Sequence, residues 1–291
     1  MLTYKKYAPL FAQNSALPKF NSFPTADARR SLFSSVPKSN PKREELIFKM
    51  KIEQTYKLGL REIGMKNKLT NYGILAFLED IATYHSGLVG YGVNDVEKNK
   101  GAFLILDWNL EVKKRLCFND TIKVKTYALP ANKPSFNCYR NFEIYDEKDE
   151  LIASATSKWL FYNFEQRKIV KLDAETLELF KPEGDLKEAE EKVAKLKEPT
   201  SYEKMIEYEV RRANIDVNNH MNNLVYLKLA NEVLPEEVYF ADELNNLRIT
   251  YKHQIRLGEI VKIYYTMEEG KHIVTIKSQD ENKLHAIVEM W

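Results

Sequence analysis

Asp216, Asn218 and His220 set a carboxylate, an amide and an imidazole at alternate positions. They stand directly ahead of a segment in which Leu224, Leu227, Ala230 and Val233 recur at helical spacing before Pro235. In an extended chain alternate residues point to one side, so the three groups would converge at the mouth of a helix. The first turn of a helix leaves backbone N–H groups without intrahelical acceptors, and those near Met221 and Asn222 would be aimed at the same point. Attack on a carbonyl needs a base for the incoming water, a group that orients the base, and donors for the oxyanion. The same residues also suit a plain helix cap, for which Asn and Asp are favoured, and the spacing leaves both readings open.

The elements that would position these residues occur twice. Residues 46–56 read as a strand and Lys68 to Gly87 as an amphipathic helix with Ile74, Leu75, Leu78, Ile81 and Ala82 on one face. Strand-like runs follow at Phe103–Lys113, Thr121–Leu129, Asn137–Tyr145 and Leu151–Asn163, with Asp146-Glu147-Lys148-Asp149 as a polar hairpin turn. Residues 173–199 are highly charged and read as a solvated helical linker with sparse apolar positions. The order then repeats: strand at Lys204–Arg211, helix at Met221–Val233, strands at Arg248–Ile255, Ile260–Glu268, His272–Gln279 and Lys283–Glu289. The halves self-align at an offset of about 149 residues, which sets Asn67, Leu69 and Asn71 opposite Asp216, Asn218 and His220. On that register only the second copy carries the carboxylate and imidazole.

Composition narrows the function classes. In 291 residues, 44 Lys and Arg against 42 Asp and Glu leave a net charge of +2, so no global field favours nucleic acid or a membrane surface. Basic residues do cluster at Lys113, Lys114 and Arg115 and at Arg211 and Arg212, where an acidic partner could be steered; each cluster alone equally suits a solvated strand end. Cys117 and Cys138 make no disulfide framework or metal-ligand spacing, and both read as structural residues in a reducing compartment. Neither a metal nor a cofactor site is expected, and no run is long and apolar enough to suggest a membrane span. Residues 1–43 hold five of the chain's ten prolines, one acid, Asp27, and the run Arg29-Arg30-Ser31, the flavour of a transit peptide or a disordered leader. The four remaining histidines carry no partner motif. His85, on the face of Leu78 and Ile81, reads as a packed polar residue.

The run from Asp216 to Asn223 resembles the Asp-x-Asn-x-His-x-Asn-Asn segment of plant and bacterial acyl-ACP thioesterases. Leu247 to Glu259 is similar to the strand that follows the helix there, with the Tyr-basic-basic and Gly-acid pattern at Tyr251-Lys252-His253 and Gly258-Glu259. The likeness spans roughly residues 46–291. It implies an α+β tandem double hotdog, two long central helices each wrapped by an antiparallel sheet. An N-terminal hotdog over 45–172 would hold the acyl chain, 173–199 would link, and a C-terminal hotdog over 200–291 would be catalytic.

The implied reaction is hydrolysis of fatty acyl-ACP, which ends chain elongation, with Asp216, Asn218 and His220 as the catalytic set and their individual roles open. Leu75, Leu78, Ile81, Ala82 and Trp108 become candidates for the acyl pocket, and the two basic clusters candidates for carrier docking. Related plant enzymes carry a Glu-Cys pair where this chain has Gln254 and Ile255. That removes a carboxylate and a thiol, and leaves Gln254 to assist by hydrogen bonding or to be an exposed strand residue. An acyl-CoA thioesterase and a non-catalytic acyl-binding hotdog remain the competing readings. The implied setting is soluble, in a bacterial cytoplasm or a plastid stroma, and a homodimer is left open.

Overall fold

The computed structural model describes residues 51–131, 134–241 and 244–291, all within one compact unit, Pro41–Trp291. The leader expected over residues 1–43 and the beginning of the strand expected from Leu46 lie outside the described residues. The first repeat consists of β1 (Ile52–Lys57), α1 (Asn71–Leu88), β2 (Gly101–Val112), β3 (Thr121–Ala128), β4 (Cys138–Tyr145) and β5 (Leu151–Asn163). A short β6 (Lys168–Val170) pairs with β5, and the connection carries α2 (Leu186–Lys192). The second repeat is β7 (Lys204–Glu209), α3 (Asn223–Val233), β8 (Asn246–Tyr251), β9 (Ile260–Glu268), β10 (Lys271–Ser278) and β11 (Leu284–Met290).

The described strands form one 11-stranded antiparallel sheet, ten of them along the path β1-β3-β4-β5-β2-β8-β11-β10-β9-β7 and β6 beside β5 off it. From either end the path runs through equivalent strands, so a pseudo-two-fold axis passes between β2 and β8. Each half of the sheet wraps its own helix, which is the tandem double hotdog. The strands bend around the helices because their patterns give them one apolar face. In β3, Ile122, Val124 and Thr126 are buried while Lys123 and Lys125 are not. α1 buries the stripe anticipated from its spacing, Ile74, Leu75, Leu78, Ile81 and Ala82. It starts where Thr70 Oγ1 accepts from the Gly73 N–H at 3.0 Å. Gly73 is required there because a Cβ would come within 2.7 Å of Glu62.

The halves are fastened at the β2–β8 seam, where Trp108 pairs with Ile249 and Leu110 with Leu247, all fully buried. Thr250 Oγ1 donates to Asp107 Oδ1 across it at 2.5 Å. Two expectations are corrected. The connection after residue 173 is not simply solvated: Ala189 and Val193 pack on Leu129 and Tyr139, and Leu196 on Ile273 and Ile287. Sparse apolar positions at helical spacing suffice to seal the outer face of the sheet. β8 ends at Tyr251, so Lys252 to Ile255 form a loop rather than strand.

Leu110 tests the seam. Leu110→Ala should destabilise the protein by about 2–5 kcal/mol, the cost of a buried cavity of that size, measured as a fall in the urea midpoint.

Candidate active site

The chemistry-bearing run is folded into a tight hairpin, not extended. The Asp216 N–H donates to the His220 carbonyl at 3.0 Å, and the Asn219 N–H to the Asp216 carbonyl at 3.1 Å. Asn219 takes a left-handed φ of 62°, the conformation that closes three-residue hairpin loops and that Asn tolerates. Asp216 Oδ1 accepts from the Asn218 N–H at 2.8 Å, an Asx turn. The three-residue convergence expected from alternate spacing is reached for two of the groups only. Asp216 and His220 meet across the base of the turn, with Nδ1 3.8 Å from Oδ1, and Asn218 is exposed at its tip.

His220 Nδ1 lies 3.3 Å from the Met221 carbonyl. A carbonyl only accepts, so Nδ1 is the donor of this contact. The backbone donors differ from those expected. The Met221 N–H donates to the Ile255 carbonyl at 2.8 Å and the Asn222 N–H to the Asn214 carbonyl at 2.9 Å, so both are spent. Asn222 caps α3 by accepting from the Leu224 N–H at 2.9 Å. The Asn223 N–H, first of the helix, has no intrahelical acceptor and takes over as the oxyanion donor candidate. Behind the turn, Tyr251 donates to the Asn223 carbonyl at 3.2 Å and Tyr226 to the His253 carbonyl at 3.3 Å. The two rings meet edge to face, 5.3 Å apart. These bonds tie α3 to β8 and its loop.

The first repeat builds the same turn with other side chains. The Gly64 N–H donates to the Lys68 carbonyl and the Asn67 N–H to the Gly64 carbonyl, and Asn67 has φ 56°. The bridge Ile63–Leu69 matches Ile215–Met221, and Thr70 caps α1 as Asn222 caps α3. The counterparts of Asp216, Asn218 and His220 are thus Gly64, Lys66 and Lys68, not Asn67, Leu69 and Asn71. Weak self-alignment could not resolve the shift, because both registers keep apolar residues on the helix stripe. The mouth at α1 opens into a cavity of about 400 Å³ lined by Gly64, Lys66, Thr70, Asn71, Lys228 and Asn231, among others. It has no carboxylate or imidazole in its lining.

The other residues singled out in the sequence fall into place unevenly. Gln254 is exposed in the loop after β8, one residue from the Ile255 carbonyl that holds Met221. Leu75, Leu78, Ile81, Ala82 and Trp108 all lie in the main core, with Trp108 packed on Phe142 at 5.2 Å. Arg211 and Arg212 are exposed beside the Asp216 turn, where the Arg211 N–H donates to Asn214 Oδ1. The other basic cluster is largely engaged. Lys114 pairs with Asp146 and Glu150. Arg115 donates to Leu69, Asn71, Leu244 and Asn245 at the opposite mouth, so it is a structural brace rather than a docking residue. Lys113 is exposed. Burial pushes the Cys138 thiol up to about 11, which disfavours the thiolate. His85 is buried with Nδ1 2.8 Å from Arg140, and burial beside that guanidinium lowers it to about 3. Among the described residues no three His, Cys, Asp or Glu side chains are grouped to hold a metal ion.

One residue escaped the sequence reading. Glu79 lies on α1, four residues after Leu75 and three before Ala82, and so on the edge of the buried stripe. Its Oε1 is sealed and has no hydrogen-bond partner. Burial first, then the charges of Asp80 and Asp216, push its carboxyl up to about 8. The available signal was a carboxylate at an apolar position of the helical repeat. A raised carboxyl favours the folded state least when ionised, so its cost to stability grows as pH rises from 4.5 towards about 8. Glu79→Gln, neutral and of the same shape, should therefore raise Tm relative to the wild type at pH 8, with the gain vanishing near pH 4.5. Calorimetry at the two pH values checks it.

Comparison with known proteins identifies the family. The model of the acyl-ACP thioesterase N-terminal domain matches residues 49–180, and that of the acyl-ACP thioesterase C-terminal domain matches residues 197–289. An oleoyl-acyl carrier protein thioesterase of Arabidopsis thaliana is 25% identical over 74% of this chain and 62% of its own length. The oleoyl enzyme of Coriandrum sativum is 24% identical over 69% and 58%. This chain thus spans about three fifths of the length of the curated relatives it matches. In structure it is similar to a 12:0-ACP thioesterase from Umbellularia californica, with TM-score 0.72 and 14% identity over 83% of this chain and 96% of that one. It is also similar to an acyl-ACP thioesterase from Bacteroides thetaiotaomicron, with TM-score 0.69 and 14% identity over 85% and 98%. With both domain models matched in order over most of its length, the chain belongs to the acyl-ACP thioesterase family.

Proposed function

We propose that the protein hydrolyses the thioester of fatty acyl-ACP to free fatty acid and carrier thiol, and that the α3 mouth is its active site. The observation that carries this reading is the turn that joins Asp216 to His220 beside the open end of α3. His220 Nε2 takes a proton from water as its oxygen attacks the thioester carbonyl. Asp216 holds the imidazole in that orientation and offsets the charge it gains. The Asn218 amide, at the exposed tip, and the Asn223 N–H stabilise the oxyanion. The tetrahedral intermediate then collapses, the C–S bond breaks, and the carrier leaves as its thiol. Gln254 positions the water from the neighbouring loop.

The acyl chain is proposed to lie in the N-terminal repeat, against the helix face of Leu75, Leu78, Ile81 and Ala82 and against Trp108. Each buried CH2 contributes about 0.8 kcal/mol, so pocket depth sets chain-length preference. Arg211 and Arg212 flank the turn and suit an acidic carrier. The reading places the enzyme with acyl carrier protein, in a bacterial cytoplasm or a plastid stroma. The Arabidopsis and coriander relatives are named as chloroplastic.

Fatty acid release from acyl-ACP and from matching acyl-CoA, over graded chain lengths, tests the function. Release from the carrier protein with a clear length optimum is expected. Binding without release from either thioester would favour an acyl-binding protein. His220→Ala and Asn218→Ala should each lower kcat by about 10² or more with an unchanged melting curve. Near-normal turnover in either would remove that residue from the set. Arg211→Glu with Arg212→Glu should raise KM for acyl-ACP by about tenfold and leave acyl-CoA hydrolysis unaltered.

A further inference from the structure

Glu79 belongs to the first repeat, yet three observations direct it at the second repeat's mouth. Its side chain rises from the buried stripe of α1, and Oε1 is closed off from solvent with no group of the protein to bond. The repeats relate Thr70 to Asn222, and the same register relates Glu79 to Asn231. Asn231 lines the cavity at the α1 mouth together with Gly64, Lys66, Thr70 and Asn71, the counterparts of Asp216, Asn218, Asn222 and Asn223. The pseudo-two-fold therefore sets Glu79 across from the Asp216 turn. The electrostatics agree, because the carboxyl feels the charge of Asp216 as well as that of its neighbour Asp80. Tyr251, whose hydroxyl is held at the Asn223 carbonyl, in turn feels Glu79.

The charged groups acting on Glu79 are thus acidic: Asp80 on its own helix and Asp216 on the turn. Tyr251 on β8 stays protonated, and Tyr56 on β1 lies beside Asp80. A carboxyl in this setting keeps its proton at neutral pH. With no acceptor in the protein on Oε1, its hydrogen-bonding capacity is unspent.

We infer that Glu79 is a second acid–base group of the proposed hydrolytic site, a neutral carboxyl that gives its proton to the carrier sulfur as the C–S bond breaks. The inference rests on the reading of the α3 mouth as a thioester hydrolase. In the step, the electron pair of the C–S bond moves to sulfur and the Glu79 O–H proton joins it, so the carrier leaves as a thiol. The proton that His220 took from water then passes through solvent to the Glu79 carboxylate, and both groups return to their starting states. The sum is thioester plus water giving acid plus thiol. Two proton-bearing groups on opposite sides of the carbonyl divide the labour that one imidazole would otherwise perform in sequence.

The experiment compares full-length wild type, Glu79→Gln and Glu79→Asp on two substrates with the same acyl group: acyl-ACP, and the thioester of p-nitrothiophenol, whose acidic thiol departs without a proton. Glu79→Gln should lower kcat on acyl-ACP by about 10², with KM within about twofold, and Glu79→Asp should recover part of the loss. On the nitrothiophenyl ester all three should turn over within about threefold of one another. The wild type carries an independent readout: its kcat on acyl-ACP should fall as pH rises through about 8, and the fall should be missing with the nitrothiophenyl ester. Normal kcat and an intact alkaline fall in Glu79→Gln would overturn the inference while leaving the hydrolase reading in place. Equal loss on both substrates would assign Glu79 a purely structural part. A wild type inactive on every thioester would overturn both.

Discussion

The antiparallel pairing of β2 with β8 is the constraint on which the rest depends. Each repeat makes a half-sheet with one apolar concave face and one helix to fill it. Taken alone, β2 and β8 would each leave an open edge of unpaired N–H and carbonyl groups beside the core. Joining them removes both edges and buries Trp108, Leu110, Leu247 and Ile249 in one continuous interior. Antiparallel pairing of equivalent strands also imposes a two-fold relation. α1 and α3 then lie so that residues midway along one helix face the first turn of the other. The cavity at the α1 mouth is accordingly lined by residues of both halves of the chain.

That symmetry is kept by the backbone and broken by the side chains. Both mouths use the same hairpin, closed by a left-handed Asn at Asn67 or Asn219, and the same cap, Thr70 or Asn222. Those residues satisfy the turn and the first N–H groups of the helix, and the fold asks little of the positions between them. Gly64, Lys66 and Lys68 stand in one turn, and Asp216, Asn218 and His220 in the other. A duplicated fold can therefore carry different polar side chains at its two ends while keeping one backbone plan.

The two carboxyls nearest the α3 turn sit in different surroundings. Asp216 is partly exposed, accepts the Asn218 N–H and lies near an imidazole. Glu79 has a sealed oxygen and acidic neighbours, and it is pushed up to about 8. For Glu79, desolvation and like charge favour the neutral form. Pairs of this kind suit a reaction that must accept one proton and deliver another. A buried carboxyl without a partner is costly where Leu would pack better.

Much of the plan was legible in the residues. The 3.6-residue stripe of α1, the alternation in β3 and β9, and the duplicated order of elements all follow from local periodicity, because burial of one face fixes the spacing of apolar residues. Asp216, Asn218 and His220 stood out because polar groups ahead of an apolar helix mark its mouth. Three things required the tertiary structure. The turn that brings Asp216 to His220 depends on a left-handed Asn219 and on bonds to Asn214 and Ile255, which are distant or non-periodic partners. Spending of the Met221 and Asn222 N–H groups follows from the same contacts. That the charge of Asp216 acts on Glu79 emerges only once the β2–β8 seam has set the two repeats together, because a residue's electrostatic neighbours across a two-fold axis leave no trace in its own stretch of sequence.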